Sequence, residues 1–499
     1  MRRPYIFTPL VAATALVVLG FLPVRGQNAV LSVRWNKVVR VSQTTATLQV
    51  VANPMLRRNS PIHQGTFRAL RELGADFVRY VPWFPYPHLA VAELRAPTRD
   101  STFWDFSKTD PLMEDLMEAT SGHTTVINFS TIPAWMFQTD HPIPYPADPD
   151  LVSWGYSQGT RLRDTTLKEL TGYYSRLLMW YTLGGFRDEH GVFHRSGHHY
   201  QIPYWEVLNE PDLEHNFSPE TYTRIYDSVV LALRKVSPHT RFVGMAVAFE
   251  TNPQWFEYFL DPAHHKAGVL PDGISYHFYG TPDAAGLSLD QIQYCFFDQA
   301  NDFLDKVRYI ESIRLRLAPK TFTDVDELGN ILGDSYTDSI PPGYWNLSGA
   351  MFAYTFLELQ RMGIDVVGES QLVGYPTQYP DVSMMDWTNG KPNSRYWVLK
   401  LIRDNLGPGD TLVATGAGSD QIAAQAYRTN KGKKLLVINK RNQAIHLRLS
   451  GVIGTVQMDY VDQSTGENPP ARTGVPAENI PLAPFSVALI NLRGSSLNP

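Results

Sequence analysis

The sequence predicts a (β/α)8 barrel, of the TIM type, that carries a β-sandwich assembled from both ends of the chain. Three observations lead there. Between about residues 60 and 405, short apolar runs alternate with amphipathic stretches, the pattern of buried parallel strands each followed by a covering helix. From about residue 410 the pattern changes to strand-like runs, QIAAQAYR, KKLLVINK, AIHLRLS and FSVALINL, separated by Gly, Asn and Lys turns. Residues 29–52 alternate in the same manner before any barrel element has begun, and a lone hairpin is marginal in water, so they are expected to complete that second sheet. The expected division is a leader at 1–26, sandwich strands at 27–55, the barrel at 56–405 and the rest of the sandwich at 406–499. A chain of 499 residues is long enough for both units.

The leader has Arg2 and Arg3, an apolar run from about Pro9 to Leu22 and small residues near Gly26, the form of a secretory signal. Its apolar run is shorter than the roughly 20 residues a spanning helix needs. A secreted protein, extracellular or periplasmic and free of the membrane once the signal is removed, is therefore expected. Cys295 is the single cysteine, which excludes an intramolecular disulfide and a cysteine-based metal site. The balance of 44 basic and 49 acidic residues, net −5, contains no basic stripe and argues against a nucleic-acid partner. Asn128-Phe129-Ser130 and Asn346-Leu347-Ser348 fit the N-glycosylation pattern.

Taken in order, the barrel is expected to open with a helix over 61–73, where Phe67, Leu70 and Leu73 recur at helical spacing and Gly74 supplies the stop. Residues 76–81 read as the first barrel strand, with Arg79 near its exit. A short second strand is placed near Phe103-Trp104-Asp105, followed by a helix over 111–120. The third strand is 124–130, leading to the aromatic exit Ile132-Pro133-Ala134-Trp135-Met136. A helix over 167–183 precedes the fourth strand. Residues 241–247 and 273–278 are strands five and six, a helix over 302–317 leads to strand seven at 321–325, and a helix over 347–362 leads to strand eight at 364–368.

The fourth strand organises the rest. In Pro203-Tyr204-Trp205-Glu206-Val207-Leu208-Asn209-Glu210-Pro211-Asp212, the apolar run suits a strand buried on both faces, and polar residues gather where it stops. Pro211 cannot donate to a sheet ladder and disfavours helix at the residue before it, so the chain leaves the sheet at Glu210. This puts a carboxylate at the C-terminal lip of the barrel, where catalytic side chains collect. The helix that follows is the clearest in the chain. Ser218 can cap it, Pro219 sits in its first turn, and Tyr222, Ile225, Tyr226, Val229, Leu233 and Val236 form one apolar face.

Trp-Glu-Val-Leu-Asn-Glu-Pro-Asp resembles the acid/base segment of the clan A retaining glycoside hydrolases. Within that clan, the Ser-Pro-Glu-Thr-Tyr helix start, Ser-Tyr-His-Phe-Tyr at strand six and the terminal sandwich are similar in outline to glycoside hydrolase family 39, the β-xylosidases and α-L-iduronidases. Related families that include β-glucuronidases and arabinofuranosidases share the architecture. The resemblance implies that Glu210 is the acid/base and that Asn209 holds the sugar hydroxyl next to the reacting carbon. It also implies a nucleophilic Glu at the end of strand seven, which reads KTFTDVDELGN, and so points to Glu327. Asp324 and Asp326 compete with it, since the clan segment more often reads Thr-Glu followed by a small polar residue. Glu369, a third carboxylate at the same rim, could bind a sugar or take the place of Glu327.

Retaining enzymes need their two carboxyl groups about 5 to 5.5 Å apart. An ionised nucleophile raises the pKa of its partner, keeping it protonated near neutral pH. Arg79 would then hold Glu327 ionised, and His277 or Tyr279 would hydrogen-bond it. Asn128, Trp83, Trp135, Glu369 and Gln371 are candidates for substrate contact, polar groups for hydroxyls and Trp faces for the apolar face of a ring. No cofactor or metal is called for. His194, His198 and His199 lie in a Gly- and Arg-containing loop without helical or carboxylate support. The expected partner is an oligosaccharide, polysaccharide or glycoside. The rival readings are a barrel that binds carbohydrate without cleaving it, and a transglycosylase using the same two carboxylates.

Overall fold

The computed structural model describes residues 27–281, 287–332 and 340–492; the leader expected at 1–26 lies outside them. Eight parallel strands close into a barrel in the order Thr45–Val51, Val78–Val81, Thr125–Ile127, Tyr204–Glu206, Arg241–Val247, Gly273–Gly280, Phe322–Asn330 and Val366–Glu369, the last pairing back with the first. The second unit is a mostly antiparallel nine-stranded sheet. Its inward residues, among them Leu31, Val413, Leu435, Leu447, Val456 and Ile490, form a core separate from that of the barrel.

The sequence placed residues 27–55 wholly in the second sheet, and the structure corrects this. Only Gln27–Val41 joins it, between Thr411–Ala417 and Ile445–Leu449. Thr45–Val51 is instead the first barrel strand, paired with Val366–Glu369 on one side and Val78–Val81 on the other. Residues 76–81 thus supply the second barrel strand rather than the first. Phe103-Trp104-Asp105 is no strand: Trp104 there stacks 5.9 Å from Phe106 and 5.5 Å from Tyr173, so its aromatic content serves packing. These two errors cancel, and strands three to eight keep their numbers.

The helices follow from their caps and faces. Ser218 is the N-cap of Pro219–Val236 and accepts a hydrogen bond from the Thr221 amide at 3.3 Å, while Tyr222, Ile225, Tyr226, Val229 and Leu233 are buried against the barrel. Leu289–Leu317 begins well before the expected Asp302. Ser394–Arg403 is a helix whose apolar pattern the sequence reading did not mark. Tyr344–Met362 is buried over most of its length because it lies between the two units. At its end Arg361 donates to the Ala424 carbonyl at 2.7 Å, and Tyr427 donates to Gln360 at 2.7 Å.

Both glycosylation motifs are closed off by the fold. Asn128 is buried in the barrel, and the Asn346 amide donates to Ser394 from a buried position, so neither is open to modification in the folded chain. No helix among the described residues is long and apolar enough to cross a membrane.

Candidate active site

The chain leaves strand four by an unusual backbone path. Leu208 and Glu210 both adopt left-handed φ, 66° and 39°, and the adjacent strand five does the same at Met245 and Ala246. Non-glycine residues reach this region at a cost of order 1–3 kcal/mol each and persist where surrounding contacts hold them. Here the Glu210 amide donates to the Ala246 carbonyl at 2.8 Å, locking one strand exit to the next. The result points the Glu210 carboxyl at strand six, where His277 Nδ1 lies 2.8 Å from its Oε1.

Glu327 comes from the far side of the same mouth. It lies on strand seven in register with His277. Arg79 Nη1 donates to its Oε1 at 2.5 Å and the Tyr279 hydroxyl to its Oε2 at 2.6 Å, so both oxygens are held. One carboxylate oxygen of Glu210, one of Glu327 and a ring nitrogen of His277 all lie within 4.8 Å of one another. Such a donor set could take a cation, but the Arg79 guanidinium already supplies positive charge at the same carboxylate.

Electrostatics separate the two carboxyls. Burial pushes the Glu210 carboxyl up, and the charge of Glu327 adds to that rise while His277 opposes it. Burial alone would raise Glu327 too, but His277 and Arg79 together outweigh it and hold the group below the ordinary range. One acid is therefore biased toward its proton and the other toward its charge.

Asp324 and Asp326 do not compete for that place. Both are buried beneath the mouth, and burial drives their carboxyls well above the usual range, with Glu206 adding to the rise. Of the three acids on this strand only Glu327 lines the cleft. Below it Arg79 is a hub: it bonds Glu206 at 2.6 Å, Gln49 at 2.8 Å and Asn209 at 2.7 Å.

Three expected contact residues lie elsewhere. Asn128 is wholly buried and donates to Glu206 and to the Leu208 carbonyl, so it braces the strand-four exit rather than meeting a ligand. Trp135 turns away, its indole donating to the Glu93 carbonyl and its ring under Arg163. Glu369 is buried in an ion pair with Arg395 at 3.0 Å, and neither lines the cleft. Asn209, Tyr279, Trp83 and Gln371 do line it, and Arg79 and His277 lie directly behind the two carboxylates.

Glu214 escaped the sequence reading. It is half-buried and accepts from the Trp83 indole at 2.6 Å and from the Asn209 amide at 2.9 Å. Nothing in the local sequence marks it, because its partners come from a different strand exit and from a turn. The cleft itself has a volume of about 760 Å³, within the range of small-molecule sites. Trp83, Phe84, Trp154 and Tyr379 cluster on one wall, with Trp83 5.4 Å from Trp154 and 6.3 Å from Tyr379. Glu250, Thr281, Gln299, Asp302 and Lys306 come from the exits of strands five and six and the helix that follows, and make a polar wall.

No protein-family model matches the chain, and neither does any curated protein sequence. Solved structures do. A GH51 arabinofuranosidase from Xanthomonas axonopodis pv. citri superposes with a TM-score of 0.63 at 13% identity, over 93% of this chain and 99% of the other. A GH39 β-xylosidase from Caulobacter crescentus gives 0.58 at 15% identity over 93% and 99%. A GH30 endoxylanase from Clostridium papyrosolvens gives 0.54 at 13% identity over 92% and 98%. The chain has their fold. Barrel and terminal sheet are both covered by the likeness, so the chain shares the two-unit architecture of these glycoside hydrolase structures.

Proposed function

We propose that the protein is a secreted retaining glycoside hydrolase that cleaves glycosidic bonds by double displacement. The observation that carries this reading is the pair Glu210 and Glu327, with oxygens within 4.8 Å across the mouth of a sugar-sized cleft. That separation fits the roughly 5 to 5.5 Å of retaining enzymes better than the roughly 6.5 to 9.5 Å at which inverting enzymes hold their carboxyls to admit a water.

The Glu327 carboxylate attacks the anomeric carbon while Glu210 gives its proton to the leaving oxygen, forming an ester between sugar and Glu327 and releasing the aglycone as an alcohol. Ester formation removes the negative charge that had helped to raise Glu210. Glu210, now ionised, takes a proton from water as that water attacks the anomeric carbon, and Glu327 is restored. With the proton on His277 Nδ1, the imidazole bonds Glu210 Oε1 and leaves Oε2 for proton transfer. Arg79 and Tyr279 keep Glu327 charged and aimed. Transglycosylation would use the same residues with a sugar hydroxyl in place of water.

The test is turnover of a panel of aryl glycosides and of plant and microbial polysaccharides by wild type and variants. Wild type is expected to cleave at least one. Glu327→Gln should lower kcat by at least about 10⁴-fold, and Glu210→Ala should be partly rescued by azide on activated substrates. Sugar binding without hydrolysis by the wild type would instead support the carbohydrate-binding barrel.

A further inference from the structure

Glu214 is a third carboxyl at the mouth, half-buried, and the reaction above does not use it. Its Oε1 accepts from Trp83 Nε1 at 2.6 Å and from Asn209 Nδ2 at 2.9 Å, while its Oε2 is buried with no hydrogen-bond partner among the described residues. A charged carboxylate there would leave an anionic oxygen buried and unpaired beside Glu210, whereas the neutral acid leaves only an unused hydroxyl, a far smaller loss. Burial and the neighbouring charge of Glu210 both push this carboxyl well above the usual range. Its two donors belong to the two parts of the cleft that would meet a sugar: the ring of Trp83 in the aromatic wall and the amide of Asn209 beside the acid/base.

Resting on the glycosidase reading, we propose that Glu214 is a positioning residue which, as the neutral acid, fixes the Trp83 ring and the Asn209 amide against the reacting sugar. The Asn209 amide is defined from both ends. Its oxygen accepts from Arg79 Nη2 at 2.7 Å, and one of its N–H bonds is taken by Glu214. Only the second N–H is left, and it can point in one direction alone. The amide thus has one N–H free to donate to a sugar hydroxyl, while its oxygen already carries the Arg79 bond. Because Arg79 also holds Glu327, the orientation of this donor is tied to that of the nucleophile. Without Glu214 the amide keeps its anchor to Arg79 but is free to swing about it, and the Trp83 ring loses its only hydrogen bond to the turn that carries Asn209.

The experiment compares Glu214→Gln, Glu214→Leu and wild type on an aryl glycoside that the wild type cleaves and on its 2-deoxy counterpart. Gln keeps the oxygen that accepts both N–H bonds and carries no charge. Glu214→Leu is expected to lose about 10- to 100-fold in kcat/KM on the 2-hydroxy substrate, mostly in kcat. On the 2-deoxy substrate, where the Asn209 donor has nothing to hold, that loss should be several-fold smaller, the remainder being what acts through Trp83. Glu214→Gln should recover at least about tenfold of what Leu loses. Independently of turnover, the infrared spectrum of wild type minus Glu214→Gln at neutral pH should show the carbonyl stretch of a protonated carboxyl. Equal losses on the two substrates, a Gln variant as damaged as Leu, or a carboxylate band in place of the carbonyl stretch would each overturn the proposal. A wild type inactive on every glycoside tried would sink the glycosidase reading, and the infrared band would still decide whether Glu214 is the neutral acid.

Discussion

Two acids of similar intrinsic strength are separated here by their neighbours. Glu327 is held down by His277 and Arg79 against burial, and Glu210 is held up by burial and by Glu327. The sign of the pH dependence follows. On the proposed mechanism activity needs Glu327 charged, so it should fall at the acid end only below the ordinary carboxylate range. It needs Glu210 protonated, so it falls at the alkaline end, above that range. A pH profile of kcat/KM should be bell-shaped. Glu210→Gln, measured on a substrate with a good leaving group that needs no proton, should lose the alkaline limb and keep the acid one. Arg79→Met would remove the charge that holds Glu327 down, leaving Glu206 and Glu327 buried with less compensation. It is expected to cost several kcal/mol of stability, about 3–5, seen in chemical denaturation, and to move the acid limb toward higher pH.

At the scale of elements, the site is assembled from several strand exits, and how legible each piece was depended on where its partners lie. Glu210 was legible because Asn-Glu-Pro combines a strand end, a carboxylate and a break within three residues. Glu327 was legible only through strand order, and what distinguishes it from Asp324 and Asp326 is depth, which the sequence does not carry. Thr45–Val51 was misplaced for an instructive reason. Its polar residues Thr45, Thr47 and Gln49 alternate with Ala46, Leu48 and Val50, the mark of a strand with one face in water. The polar face looks into the barrel instead, where Gln49 accepts from Arg79 at 2.8 Å and donates to Ser370 at 2.6 Å. Glu369 was read as a ligand contact because it stands at the right rim, but Arg395, supplied by a helix that went unrecognised, takes it. That pair has its own consequence. Arg395 also donates to the carbonyls of Ser370 and Val382, which flank the segment carrying Gln371 and Tyr379 into the cleft. Glu369→Leu should leave a buried unpaired guanidinium and lower stability by about 3–5 kcal/mol, measured by denaturant titration, with KM rising as that segment loosens.

For the whole molecule, the described residues begin and end in one sheet and run through the barrel between. Gln27–Val41 lies inside that sheet rather than at its edge, and the next strand, Thr45–Val51, opens the barrel and brings Gln49 to Arg79. The helix Tyr344–Met362 is buried between the two units. Removing residues 27–41 should therefore do more than trim an end. It splits the sheet between Thr411–Ala417 and Ile445–Leu449, exposes the buried helix and is expected to lower the melting temperature of the barrel as well, seen by calorimetry as loss of a shared transition. The architecture was read correctly from the alternation of apolar runs, while the path linking the two units was not, because only a three-residue link at 42–44 separates strands that belong to different sheets.

The most direct test of the central claim is to trap the covalent intermediate. A 2-deoxy-2-fluoro glycoside with an activated leaving group should inactivate the enzyme, and peptide mapping by mass spectrometry should find one sugar on Glu327 and none after Glu327→Gln. An adduct on Asp324, Asp326 or Glu210, or turnover of that reagent with no adduct and inverted product, would contradict the account.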